Sequence, residues 1–371
     1  MRVAFFVHSL VSCWNHGNAH FLRGVVAELM ACGHDVRVYE PRDGWSRANL
    51  VGQHGLQALR EYEQRFPRLR STPYDPDRLD LGAALDGIDL VLVHEWNDPS
   101  VVARLGERRR RSEFVLLFHD THHRSVTAPD DLRLFDLSTY DGVLAYGEVI
   151  RRLYLERGWA AQAWTWHEAA DVRVFHPLLG RQRRGDVAWI GNWGDGERTN
   201  ELRRFLLSPA RSLGLSGSVF GVRYPPEAKE EVSRSGLVYR GWIANYRVPL
   251  VFAEHAVTVH VPRRPYVRRL PGIPTIRPFE ALACGIPLVS APWEDSEGLF
   301  RTDVDYLVAR TRHEMRRHLR EVLNDRELAS SLAQHGLETI RTRHTCAHRV
   351  GELLAIAADL GADVTPEEAV A

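Results

Sequence analysis

Arg277 and Glu280 stand three residues apart in the stretch Thr275-Ile276-Arg277-Pro278-Phe279-Glu280-Ala281-Leu282-Ala283-Cys284-Gly285-Ile286-Pro287. Its residues spell the start and the stop of a helix. Glu280 to Ala283 are good helix formers, Gly285 is a terminator and Pro287 forbids continuation. A helix N-terminus offers unpaired N–H groups and a positive dipole end, which suits a phosphate, and a carboxylate beside it can take ribose hydroxyls. Two further clusters have chemical potential. His119-Asp120-Thr121-His122-His123 follows an apolar run, and an imidazole there can exchange a proton near neutral pH. Three histidines and an aspartate could also ligate a metal, although neighbouring residues at a strand end point in different directions, which favours simple polar contacts. Gly191-Asn192-Trp193-Gly194-Asp195-Gly196-Glu197-Arg198 has three glycines at a strand-to-helix turn, where backbone amides can approach a phosphate and Arg198 can pair with its oxygens. Arg263, Arg264, Arg268 and Arg269 lie in a proline-rich stretch and could clamp a diphosphate or simply face solvent.

The elements that would position these residues read as alternating β and α segments. Residues 3–7, 35–39, 89–94, 113–119 and 140–146 are apolar strands, with a helix at about 18–31 stopped by Gly33. Residues 42–80 are polar and read as helices and loops at a domain edge. A second β/α series begins at 186–192, with a helix over 196–207, strand ends at 218–221 and 237–241, a strand at 256–261, a loop over 262–274, a strand over 288–292 ending in a loop, a strand at 306–309, and helices at about 312–323, 325–342 and 345–360. The expected fold class is α/β, two Rossmann-like, doubly wound parallel-sheet domains. Ligands in such sheets lie beyond the carboxyl ends of the strands, which is where most of the polar clusters fall. Neither a Gly-x-Gly-x-x-Gly fingerprint nor a Gly-x-Ser-x-Gly elbow occurs, so dinucleotide-dependent redox chemistry and serine hydrolysis have no support.

The stretch from Arg277 onward resembles the donor-binding signature of GT-B glycosyltransferases, in particular the CgeB-like branch of the group 1 transferases, written Arg-x-Phe-Glu-Ala-Leu-Ala-Cys-Gly-x-Pro. Gly33-His34-Asp35-Val36 and residues 170–177 continue the likeness. The resemblance implies two domains facing a cleft, with a metal-independent transfer of sugar from a nucleoside-diphosphate sugar to an acceptor. It implies that Glu280 holds the ribose, that Arg277 lies near the diphosphate, and that Phe279, Gly191, Asn192, Arg198 and Arg263 belong to the donor site. Gly241-Trp242-Ile243 matches the place where relatives hold the base. His119 matches a histidine near the donor sugar. His20 could be a base oriented by Asp120, or Asn18 could cap the helix with His20 on its polar side. A common group 1 pattern has a sugar-facing Glu where this chain has Gly272. A nucleotide-sugar 2-epimerase of the same fold and a non-catalytic nucleotide-binding scaffold are the alternatives. A metal-dependent GT-A enzyme using Asp75 and Asp77, or Asp303 and Asp305, is a third.

The implied domains are 1–178 on the acceptor side, 179–350 on the nucleotide-sugar side, and a helix and tail over 351–371 packing back on the first. The chain has 371 residues, 44% apolar and 26% charged, as expected of a globular protein long enough for two domains. Its net charge of zero gives no overall field toward nucleic acid, and no apolar run is long enough for a membrane span, so membrane contact would be at most peripheral. Four scattered cysteines and a first strand in place of a signal peptide point to a cytoplasmic setting. No cofactor or metal is expected beyond the sugar nucleotide. UDP, GDP, dTDP and ADP sugars all remain open, as do glycan, lipid, natural-product and protein acceptors.

Overall fold

A computed structural model describes residues 1–365. It divides into two compact units, one formed by 1–168 with the segment from Cys346 onward, the other by 169–345. The sequence placed these boundaries at 178/179 and 350/351. Residues 366–371 of the expected tail lie outside the described residues.

The first unit is a seven-stranded parallel sheet of order β3-β2-β1-β4-β5-β6-β7. Its strands are β1 (Arg2–Phe6), β2 (Asp35–Pro41), β3 (Thr72–Tyr74), β4 (Leu90–His94), β5 (Val115–Asp120), β6 (Gly142–Ala145) and β7 (Ala163–Thr165). Every residue of β4 and β5 is buried, as helices on both faces of a parallel sheet require. The helix Ala19–Ala31 packs against the helix Cys346–Asp359, and Trp166 donates its indole N–H to Arg349 O at 2.9 Å. That contact ties the last helix to the first unit.

The second unit is a six-stranded parallel sheet of order β10-β9-β8-β11-β12-β13. These strands are β8 (Gly185–Ile190), β9 (Gly217–Phe220), β10 (Val238–Gly241), β11 (His255–His260), β12 (Leu288–Ser290) and β13 (Leu307–Val308). Val187 and Trp189 enter one core layer, Ala188 and Ile190 the other, which is the period-two alternation of a strand covered on both faces. Both units are thus parallel-sheet α/β domains, as the sequence led us to expect.

Several elements differ from expectation. The polar region 42–80 contributes the edge strand β3 as well as helices Trp45–His54 and Gln57–Arg65. The helix after β8 begins at Thr199 and runs to Leu213, and the stretch 262–274 contains the short helix Arg264–Arg269. Pro265 sits in its first turn, where the missing N–H costs nothing. Among the described residues no helix is long and apolar enough to cross a membrane.

In both sheets the strand order reverses once. The reversal lies between β1 and β4 in the first and between β8 and β11 in the second. The loops leaving the carboxyl ends of these strand pairs flank the crevice where doubly wound sheets take ligands.

Candidate functional site

In the second unit the crevice between β8 and β11 is cationic. Gly194, Asp195 and Gly196 all have positive φ, which folds the loop after β8 back on itself. The space this leaves is filled by Arg198: a Cβ at Gly194 would collide with its Cγ, and one at Gly191 would lie 3.0 Å from its Nη2. Arg198 stacks over Trp189 at 5.1 Å and donates to Val261 O (3.2 Å), Asn192 O (3.0 Å) and Asn192 Oδ1 (2.6 Å). Its Nε is buried without a partner, and among the described residues it makes no ion pair. Burial, then the nearby cations Arg263 and Arg277, push its pKa down to about 9, which leaves it charged at neutral pH. It is a half-buried, partly desolvated cation bonded only to neutral oxygens.

Its neighbours are already paired. Arg263 holds Glu197 and reaches Asp195 at 3.4 Å, and Arg264 reaches Glu201 at 3.4 Å. Arg268 and Arg269 end the short helix that Arg264 begins. Arg277, in the first turn of the helix Ile276–Ala283, donates to Glu280, whose side chain is buried one turn further on. Thr275 enters that helix at φ 62° and ψ −179°, a glycine-type conformation for a β-branched residue, and its side chain makes no cap. The first N–H groups of the helix therefore have no side-chain acceptor from Thr275. At the end of β11, His260 is buried with Nδ1 2.9 Å from Ser290 Oγ; burial, followed by Arg198 and Arg277, lowers its pKa to about 3 and keeps it neutral.

Trp242 and Ile243 follow β10, with Ile243 half-buried against the core layer under the sheet. Phe279 is a correction. It is buried among Phe300 and His344, at 5.1 and 5.5 Å between ring centroids, and it holds the helix to the core without facing a ligand. Gly272 has φ 88°, its N–H donates to Glu294 O at 2.7 Å, and a Cβ there would land on the Glu297 side chain. A carboxylate from the neighbouring loop thus occupies the volume that a side chain at 272 would take.

In the first unit the crevice holds imidazoles. His8 follows β1, His94 ends β4 and His119 lies on β5. With His16 they form a chain of ring contacts: His8–His16 4.9 Å, His16–His94 6.1 Å and His94–His119 5.5 Å between centroids. Burial lowers all four pKa values, to about 4 for His8 and about 3 for His119, so the rings are neutral at physiological pH. His119 Nε2 is buried without a partner, and its ring rests on Trp166 at 4.8 Å. It can exchange hydrogen bonds with a hydroxyl, but the expected proton transfer near neutral pH does not suit so low a pKa.

Two further expectations change. Asn18 does not cap the helix Ala19–Ala31: its backbone is helical and its Nδ2 donates to Glu168 Oε1 at 3.1 Å. His20 is buried rather than on a polar face. Asp120 does not orient it, because the Asp120 oxygens accept from His122 N (3.0 Å) and the Tyr154 hydroxyl (2.9 Å). Asp120 is instead one of a buried carboxyl pair with Glu95, which accepts from Thr121 N and Arg124 at 2.9 Å each. Burial, then the Asp120 charge, pushes the Glu95 pKa up to about 8, and burial raises Asp120 too, so the pair retains a proton at neutral pH. Sequence reasoning did not find Arg124 or Tyr154, which close this cluster.

Among the described residues no group of three or more His, Cys, Asp or Glu is placed to hold a metal ion. Asp75 caps the turn Pro76–Arg78, and Asp305 is buried under Arg301 and Thr339.

Residues 198–355 match the family model described as glycosyl transferase-like. No curated protein matches by sequence. Solved structures match at full length. Sucrose-phosphate synthase from Thermosynechococcus elongatus is 13% identical with a TM-score of 0.64, covering 97% of this chain and 99% of that one. HepE from Anabaena, in complex with UDP and glucose, is 12% identical with a TM-score of 0.64, covering 96% and 99%. An alpha-glucosyltransferase in complex with UDP and a DNA 13-mer is 13% identical with a TM-score of 0.68, again covering 96% and 99%. The family match thus covers most of the second unit, and the GT-B fold of these solved structures extends over nearly the whole chain.

Proposed function

We propose that the second unit binds a nucleoside-diphosphate sugar, with UDP as the first nucleotide to test, and that the enzyme transfers the sugar to a hydroxyl acceptor held by the first unit. The observation that carries this reading is Arg198, a half-buried cation with a buried, unpartnered Nε and no carboxylate, at the switch point of the second sheet. A diphosphate would supply the missing anion, with Arg263, Arg277 and the N–H groups of the helix Ile276–Ala283 completing the grip. Binding would draw Arg277 from Glu280 to the phosphate, leaving the Glu280 carboxylate for the ribose hydroxyls. Trp242 and Ile243 would flank the base by their backbone, and Gly191 and Asn192 keep Arg198 in place. Glu297, over Gly272, would offer a carboxylate to the sugar hydroxyls.

Transfer breaks the bond between the anomeric carbon and the diphosphate oxygen, and the nucleoside diphosphate leaves with the electron pair. The acceptor oxygen forms the new bond and releases its proton. The protein contributes mainly by positioning and by stabilising the departing charge, with His119 and His20 as hydrogen-bonding partners of the reacting hydroxyls and Asp120 fixing the loop below them. Several structural neighbours were solved with UDP, which supports the choice of nucleotide. Titration of the full chain with UDP and UDP-glucose, with and without chelator, tests the reading. Binding that survives chelation, with UDP release dependent on acceptor, is expected. Loss of all nucleoside-diphosphate binding would end the proposal, and acceptor-free conversion of the sugar nucleotide would favour the epimerase.

A further inference from the structure

Ten tryptophans occur in the chain. Among the described residues only two are largely exposed, Trp45 at 47% and Trp96 at 39%, and both stand at the same edge of the first sheet. Trp45 opens the helix after β2, and Trp96 lies two residues beyond the end of β4. The strand between these two is β1, which ends just before His8. The His8 ring lies between the indoles, 6.4 Å from Trp45 and 5.9 Å from Trp96.

Neither indole is loose. Trp14 packs edge-on against Trp45 at 4.9 Å, itself anchored by its N–H to Gln53 Oε1 at 2.8 Å. The Arg124 guanidinium sits 4.3 Å over Trp96, and His122 meets its edge at 5.0 Å. Large apolar faces held rigid and left open at a ligand-binding edge call for an occupant. His16, nine-tenths buried and 4.9 Å from His8, has an Nε2 with no partner.

We propose that this edge is a saccharide subsite, in which a pyranose ring stacks on Trp45 or Trp96 and its hydroxyls meet His8 and His16. The ring that fits must be apolar on its face and hydroxylated round its rim. The C–H face of a pyranose is electropositive and suits the electron-rich indole face. Its hydroxyls both give and take hydrogen bonds, as a neutral imidazole does. Lowered pKa values keep His8 and His16 neutral, and Arg124, the cation beside Trp96, is already bound to Glu95, so an anionic acceptor finds no free charge here. That the saccharide is the acceptor rests on the transferase reading above; that the edge binds one does not.

Saturation-transfer NMR on the full chain tests it, with methyl α-D-glucopyranoside, methyl β-D-galactopyranoside and maltose as probes. Transfer to ring protons of at least one probe is expected in the wild type. Affinity should fall about tenfold in Trp45→Ala or Trp96→Ala, and Trp96→Phe should restore part of it. The UDP-induced thermal shift, which reads the second unit, should be the same in all these proteins and so separates loss of this subsite from loss of the donor site. No transfer from any probe to the wild type overturns the proposal, whatever the variants do. So does equal transfer in the Trp45→Ala/Trp96→Ala double variant, or a response to dodecylphosphocholine micelles in place of the saccharides.

Discussion

Replacing Arg198 with methionine separates a stabilising residue from a binding one. The arginine donates to three neutral oxygens, Val261 O, Asn192 O and Asn192 Oδ1. Such bonds to a charged group contribute about 1.5–3 kcal/mol each. Burying the cation without a counter-charge costs several kcal/mol, so the two contributions largely cancel. Methionine fills much of the stem volume, and the free protein should lose no more than about 2 kcal/mol. Binding has no such cancellation. Two charge-assisted bonds to a diphosphate at the low end of that range are about 3 kcal/mol, more than a hundredfold in Kd. UDP at a hundred times the wild-type Kd stabilises by about 2.7 kcal/mol, a rise in Tm of about 5–11 °C for a domain of this size. After a hundredfold weakening the same concentration gives about 0.4 kcal/mol, or about 1 °C. Differential scanning fluorimetry with and without UDP reads both quantities, and calorimetric titration confirms the Kd. A variant with wild-type UDP affinity would refute the assignment of Arg198 to the diphosphate.

Glu280→Ala should abolish the UDP shift, whereas His119→Ala should keep it and lose turnover; an unchanged shift in Glu280→Ala counts against the ribose assignment. Thr275→Gly relieves a positive φ and should raise stability by about 1 kcal/mol in urea denaturation, and a loss would mean that the threonine side chain has a role beyond its backbone. The Glu95 pKa, raised to about 8 in the folded state, makes the native protein bind more protons than the unfolded chain above the ordinary carboxylate range. Its stabilisation is complete at low pH and is lost as pH rises toward 8. The lowered histidine pKa values act oppositely and only below about 6.5, their unfolded value. Between about pH 6.5 and 8, then, wild-type stability should fall with pH, and Glu95→Gln should flatten the curve; equal slopes in denaturation series would contradict the buried proton.

The doubly wound fold was legible because strands buried on both faces, such as β4 and β5, must be continuous apolar runs. Edge strands β3 and β7, three residues each and half-exposed, leave no such run and were not read. Pro265 disguised a helix as a loop. Phe279 was read as a ligand contact because it lies inside a motif, although Phe279 and Leu282, three apart, mark the apolar face of that helix. The pairing of Glu95 with Asp120 follows from strand register, His94 lying beside His119, and register between distant strands leaves no trace in one sequence. What distinguishes Arg198 from the many other arginines is equally hidden: it lacks a carboxylate, whereas Arg263, Arg264 and Arg277 each have one.

The two crevices differ in charge at equivalent topological positions, the second cationic and the first neutral, and the proposed roles would account for the difference. A sugar nucleotide carries its charge on the leaving group, so its site needs cations that are desolvated beforehand and gain most from an arriving anion. An acceptor hydroxyl is neutral, and protonated imidazoles around it would attract phosphate and compete with it. Burial of His8, His16, His94 and His119 prevents this by keeping the rings uncharged, and the Glu95–Asp120 pair, with one retained proton, balances Arg124 without leaving a net charge beneath them. If the first unit holds the acceptor as proposed, it would select by neutrality, which is a stricter condition than the mere presence of histidines at a strand end.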